Sequence, residues 1–140
     1  MLKSKLGALA IGVAAAIGSV QAHAVPVGLE LALMADVSGS LGATDFNLQR
    51  DGYVAAFENA AIQNAIAALP GGIAVTLVYR SDGQAQSVGW THITDAASAN
   101  AFATAIAGAP RPSSGGTGMT AALTFTAALF DDNGFEGARG

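Results

Sequence analysis

The chain has 140 residues, 51% hydrophobic and 11% charged, which supports a single domain of ordinary size. Six Lys and Arg against ten Asp and Glu give a net charge of −4, so there is no basic surface to release counterions from nucleic acid. The absence of Cys excludes disulfide scaffolds, thiolate zinc sites, iron–sulfur clusters and cysteine nucleophiles, and leaves only oxygen or His ligands for a metal.

Lys3 and Lys5 precede an apolar stretch from Leu6 to Val20, followed by Gln21 and the small-residue triplet Ala22-His23-Ala24. This is the layout of a secretory signal peptide spanning residues 1–24, and it predicts export to the periplasm or the extracellular space. The stretch is short for a bilayer, which needs about 20 apolar residues, so no membrane span is expected after cleavage. Removing 24 residues from 140, and two lysines from a charge of −4, leaves 116 residues at −6. His23 departs with the leader, so His92 alone remains and a multi-His metal site is impossible.

In the mature chain, Gly28 to Ala35 (GLELALMA) is a mostly apolar run of strand length that stops at Asp36. After the small-residue loop Val37 to Gly42, Thr44 or Asp45 is expected to cap a helix with Phe46, Tyr53 and Phe57 on one side and Arg50 and Asp51 toward the other. A break is expected near Glu58-Asn59, with Asn59 capping a second short helix that aligns Ile62, Ile66 and Leu69 before Pro70-Gly71-Gly72 ends it. Ile73 to Tyr79 (IAVTLVY) reads as a buried strand, joined through Ser81-Asp82-Gly83 to a hairpin partner from Gln84 to Trp90.

Thr94-Asp95 starts a third helical stretch with Ala99, Phe102 and Ile106 on one face, stopped by Gly108 and Pro110. Arg111 to Gly118 (RPSSGGTG) is a Pro/Ser/Gly loop, and Met119 to Phe130 follows as a helix with Met119, Leu123, Thr126 and Phe130 at compatible spacing. The order of elements suggests a layered α/β domain. Trp90 and His92 read as packing residues, and Arg80 and Asp82 as solvated turn charges.

The sharpest chemical signal is Asp36-Val37-Ser38-Gly39-Ser40, at the carboxyl end of a strand and just before a helix, where open α/β sheets place ligands. Residues at steps of two in a tight loop can turn the same way, so Asp36, Ser38 and Ser40 can converge as a hard-oxygen half-site for Mg²⁺ or Mn²⁺. A second loop has to complete the shell, and SSGGTG offers Thr117, with Gly115, Gly116 and Gly118 permitting close backbone approach. Helix capping alone also explains Ser and Asp at such positions. A phosphate cradle on the glycine-rich loop is disfavoured because the Lys and spacing of a P-loop are lacking.

DVSGS after an apolar strand, with GGT opening a later helix, resembles the metal-ion-dependent adhesion site of the von Willebrand factor type A domain. The wider text, with LQRDGYVAAF, GWTHI and DAASANAFATAIAGAPR, more closely resembles an uncharacterised secreted bacterial family, domain of unknown function 1194, over about Leu29 to Gly140. The resemblance implies an α/β fold, a Rossmann-like type A layered sandwich in which the strand ending at Asp36 is central. It further implies one site for Mg²⁺ (or Mn²⁺ or Ca²⁺) with Ser38, Ser40 and Thr117 in direct contact and Asp36 in the first or second shell. A further Asp belongs on a later strand; Asp131 and Asp132, beside Asn133-Gly134, are not assigned to it.

The ending FEGARG reads as unstructured, so residues 25–140 are expected to be the N-terminal part of such a domain, truncated before the strand that should flank Asp36's strand. The function expected from the resemblance is metal-dependent binding of a protein partner that supplies a carboxylate, with no catalysis. The alternatives are a phosphatase-like hydrolase with Asp36 as nucleophile, or a non-functional fragment of a longer protein. The hydrolase lacks a second Asp two residues on, where Ser38 stands, and has no evident general base.

Overall fold

The computed structural model describes residues 23–112, 115–116 and 118–140. Residues 1–22, which hold most of the expected leader, and Thr117 of the expected metal shell lie outside the described residues. The elements in chain order are β1 (Val25–Asp36), α1 (Ala43–Glu58), α2 (Ala60–Ala67), β2 (Ile73–Arg80), β3 (Gln84–Ile93), α3 (Ala96–Gly108), α4 (Met119–Ala128) and β4 (Phe135–Arg139). They build one four-stranded sheet in the order β3-β2-β1-β4. β1 runs parallel to both β2 and β4, while β2 and β3 form an antiparallel hairpin. The architecture is an incomplete Rossmann-like α/β sandwich.

Alternation along β1 divides the two layers. Leu29, Leu31, Leu33 and Ala35 face a core that also takes Ile73, Val75, Leu77 and Tyr79 from β2. That core is closed by Phe46 and Phe57 of α1, Ile66 of α2, and Ala99, Phe102, Ala103 and Ile106 of α3. Edge-to-face rings knit it together: Phe57 meets Phe102 at 4.8 Å between centroids, and Phe46 meets Tyr79 at 5.6 Å. The opposite face carries α4, where Trp90 packs edge-to-face on Phe130 at 5.1 Å and donates its indole N–H to the Leu129 carbonyl at 2.8 Å.

Caps written in the sequence set the starts of α2 and α3. Asn59 Oδ1 accepts from the Ala61 N–H at 2.8 Å, so the chain breaks between α1 and α2 and restarts at once. Asp95 and Ser98 form a reciprocal capping box at the start of α3, with Asp95 Oδ1 accepting from the Ser98 N–H at 2.8 Å. That bonding to Ser98 holds the Asp95 carboxyl below its ordinary range. Gly71 and Gly72, at φ 73° and 68°, make the tight turn into β2, and the Gly72 carbonyl accepts from the Gly28 N–H at 2.9 Å.

Several expectations are corrected. The helix after Asp36 starts at Ala43 with Gly42 as its N-cap and no side-chain cap, so Thr44 and Asp45 fall inside the first turn. In α4 the buried positions are Ala122 and Thr126, whereas Met119 and Leu123 are exposed, because the helix meets the sheet through its small residues. Ile62 and Leu69 are likewise exposed, leaving Ile66 as the anchor of α2.

FEGAR is not unstructured: it forms β4 and pairs with β1, so the strand expected to be missing beside Asp36's strand is present. What holds it is Glu30, 1% exposed, whose carboxylate accepts from Gly137 N–H at 2.8 Å and from Asn133 Nδ2 at 2.6 Å. These bonds lie where the β1–β4 register slips between Pro26 and Leu29, so a side chain takes over from a broken ladder. Gly137 is required there, since a Cβ would sit 2.6 Å from the Val27 carbonyl oxygen.

Candidate metal centre

Asp36 closes β1 at the carboxyl end of the parallel strands, and the loop after it is shaped by its own side chain. Asp36 Oδ1 accepts from the Ser38 N–H at 2.8 Å, which turns the chain back and brings the Ser38 and Ser40 hydroxyls to 3.2 Å from each other. Ser38 is 2% exposed and Ser40 is exposed, so the pair runs from the interior of the loop to its surface.

The glycine-rich loop meets the loop after Asp36 directly. Gly39 N–H donates to the Gly115 carbonyl at 2.8 Å, and Gly118 N–H donates to the Ser81 carbonyl at 3.2 Å. Asp82 lies against Gly115 and Gly116 so closely that a Cβ at either position would collide with its carboxylate. A side chain there would displace the exposed Asp82 carboxylate from the loop. Gly116 and Gly118 flank Thr117, which itself lies outside the described residues.

Two arginines converge on the same loop, and neither role was read from the sequence. Arg80 Nη2 pairs with Asp36 Oδ2 at 2.8 Å, with side-chain exposures of 14% and 23%. The reading of Arg80 as a solvated turn charge is thereby overturned: β2 lies in register with β1, Asp36 opposite Arg80, so the guanidinium has an anion at hand. Asp82, the other half of that expectation, remains exposed but rests on the glycine loop.

Arg111 Nη2 donates to the carbonyls of Leu41 at 2.7 Å, Ser38 at 3.3 Å and Val37 at 3.4 Å, while its guanidinium lies 5.1 Å over the Phe46 ring. It clamps the loop backbone. Gln49 Nε2 adds a donor to the Asp36 carbonyl at 3.0 Å.

Hydrogen bonds from Ser38, foremost, and the Arg80 guanidinium hold the Asp36 carboxyl below its ordinary range, so it is a carboxylate at neutral pH. Burial pushes the Tyr79 phenol up, and its hydroxyl has no hydrogen-bond partner among the described residues. Among those residues no group of three or more His, Asp or Glu side chains converges. A cation here would therefore be held by hydroxyls with one nearby carboxylate, and two hydroxyls 3.2 Å apart fit adjacent corners of an octahedron whose bonds are about 2.1 Å, for which the edge is about 3.0 Å.

The other residues considered fall elsewhere. His92 Nε2 lies 2.7 Å from the Gly71 carbonyl and its ring 5.6 Å from Phe135, away from the Asp36 loop. Arg50 pairs with its neighbour Asp51 at 2.9 Å on the α1 surface. Asp131 lies at the far end of α4, 3.7 Å from Arg139, and β4 contributes no Asp to the site.

Residues 26–140 match the model of a protein family described as a protein of unknown function (DUF1194), and the chain belongs to that family. No curated protein matches the sequence. Among solved structures, the three N-terminal domains of the type V pili tip protein Mfa5 from Porphyromonas gingivalis are similar at 17% identity with a TM-score of 0.38. That match covers 69% of this chain and 15% of the pilus protein. Among the described residues no helix is long and apolar enough to cross a membrane.

Proposed function

We propose that the protein is an exported, divalent-cation-dependent protein-binding module of the von Willebrand factor type A kind. In this reading Ser38, Ser40 and Thr117 hold one Mg²⁺, Mn²⁺ or Ca²⁺, and Asp36 orients the loop and supplies the nearby negative charge. The observation that carries it is the pair of Ser38 and Ser40 hydroxyls at 3.2 Å, on a loop bonded through Gly39 to Gly115 of the loop that carries Thr117. A cation bound by neutral hydroxyls keeps positive charge and an open position, which a carboxylate from a partner protein fills. Export is supported by Lys3, Lys5, the apolar Leu6 to Val20 stretch and Ala22-His23-Ala24, with β1 starting at Val25 directly after them.

A hydrolase would need an Asp36 oxygen free to attack, and both are engaged, Oδ1 by Ser38 and Oδ2 by Arg80, which favours the binding reading. The test is a thermal melt of the protein in EDTA and in millimolar Mg²⁺ or Mn²⁺, with Ser38→Ala/Ser40→Ala as the comparison. A cooperative transition raised by the cation in the unaltered protein, and not in the variant, is the expected result. A cooperative melt indifferent to cations overturns the reading. Absence of any cooperative melt favours the fragment alternative.

A further inference from the structure

The two arginines at the candidate metal centre are committed differently. Arg111 donates to three loop carbonyls and lies over the Phe46 ring, with its Nε buried and unpartnered among the described residues; it faces no carboxylate, so its charge belongs to the scaffold. Arg80 makes its side-chain ion pair with Asp36 alone, and its Nη1 is buried with no hydrogen-bond partner among the described residues. A buried guanidinium with an unmade hydrogen bond is costly, and the negative charge of Asp36 is what offsets that cost. A dication seated at Ser38 and Ser40 would draw on that same carboxylate, two residues away along the loop. Arg80 and such a dication would share the Asp36 carboxylate, Arg80 through Oδ2, and like charges drawn to one carboxylate oppose each other.

We propose that Arg80 is a positioning residue that sets the cation affinity of this site: its guanidinium stands in for the cation on Asp36, and loading with a divalent ion proceeds against it. The proposal rests on the cation reading of the Ser38 and Ser40 hydroxyls beside Asp36. It gives the site two states, one closed by an internal arginine and one loaded with metal. The free-cation concentration at which they exchange is governed by a residue that touches no metal. Asp36 is the element the two states share, and Ser38 N–H holds it in the arginine-closed one.

The experiment is a Mn²⁺ titration of the purified protein, followed by calorimetry and by the loss of the free Mn²⁺ resonance signal, for the unaltered chain, Arg80→Met and Arg80→Lys. Removing the charge in Arg80→Met is expected to tighten Mn²⁺ binding about tenfold or more, while Arg80→Lys, which keeps the charge, stays within about threefold of the unaltered protein. A purely structural role predicts the reverse, since loosening the loop weakens binding in both variants. If Arg80→Met does not melt cooperatively, Arg80→Gln carries the same expectation, because it keeps a donor for Asp36 without the charge. Binding by the unaltered protein with no tightening in the uncharged variant overturns the role of Arg80 and leaves the cation reading standing. Binding by none of the chains overturns both.

Discussion

Replacing Asp36 with Asn keeps a side-chain oxygen for the Ser38 N–H but removes the charge that faces Arg80. With side chains 14% and 23% exposed, the pair lies between the exposed regime, worth about 0–1 kcal/mol, and the buried regime, where breaking one partner costs about 3–5 kcal/mol. A charge-assisted hydrogen bond of that kind is worth about 1.5–3 kcal/mol, so Asp36→Asn in EDTA is expected to cost about 2 kcal/mol and lower Tm by about 8 °C. A double-mutant cycle with Arg80→Met isolates the pair, and its coupling energy should be about 1.5 kcal/mol.

Acid supplies a second check on the same pair. The Asp36 carboxyl is depressed in the folded protein, so its contribution is fully present above its unfolded value, about 3.9, and is lost as pH falls through the lower folded value. Asn does not titrate, so the stability gap between the two proteins should close as pH drops below about 4. Urea unfolding at pH 7 and at pH 3 measures both quantities. A coupling within about 0.3 kcal/mol of zero, or a gap that does not shrink in acid, refutes the assignment of Arg80 as the partner of Asp36.

Other substitutions probe the rest of the frame. Phe102→Ala removes a fully buried ring packed edge-to-face on Phe57 and should cost about 3–5 kcal/mol in urea unfolding; a loss below about 1 kcal/mol would mean that α3 does not close the core. Glu30→Ala strips the acceptor from Gly137 N–H and Asn133 Nδ2, so amide exchange should rise selectively along Phe135–Arg139, while Glu30→Gln, which still accepts, changes it less. Asp95→Ala removes the capping box of α3 and should lower Tm at neutral pH; the depressed Asp95 carboxyl makes that difference fade in acid, and a difference that persists at pH 3 would contradict it. Gly115→Ala pushes Asp82 off the glycine loop, and under the cation reading it should weaken Mn²⁺ binding as measured by titration.

The sequence by itself determined what is local. The run ending at Asp36, the Asn59 break, the Asp95 start and the Ser81-Asp82-Gly83 hairpin turn are fixed by side-chain period and by caps that reach two or three residues along the chain. The same short range made DVSGS legible, because Asp36 acts on Ser38 and Ser38 lies next to Ser40 in space as in order.

Tertiary structure decided everything that joins distant segments. Arg80 meets Asp36 across 44 residues because two parallel strands fall in register, and Arg111 reaches the Val37 carbonyl across 74. β4 has too few apolar residues to announce itself, and it is held by its ladder with β1 together with a buried glutamate 107 residues away that accepts the N–H of Gly137. Periodicity and capping are readable one element at a time. A charge has no visible partner until the sheet register places one beside it, which is why the cations around Asp36 are a property of the fold.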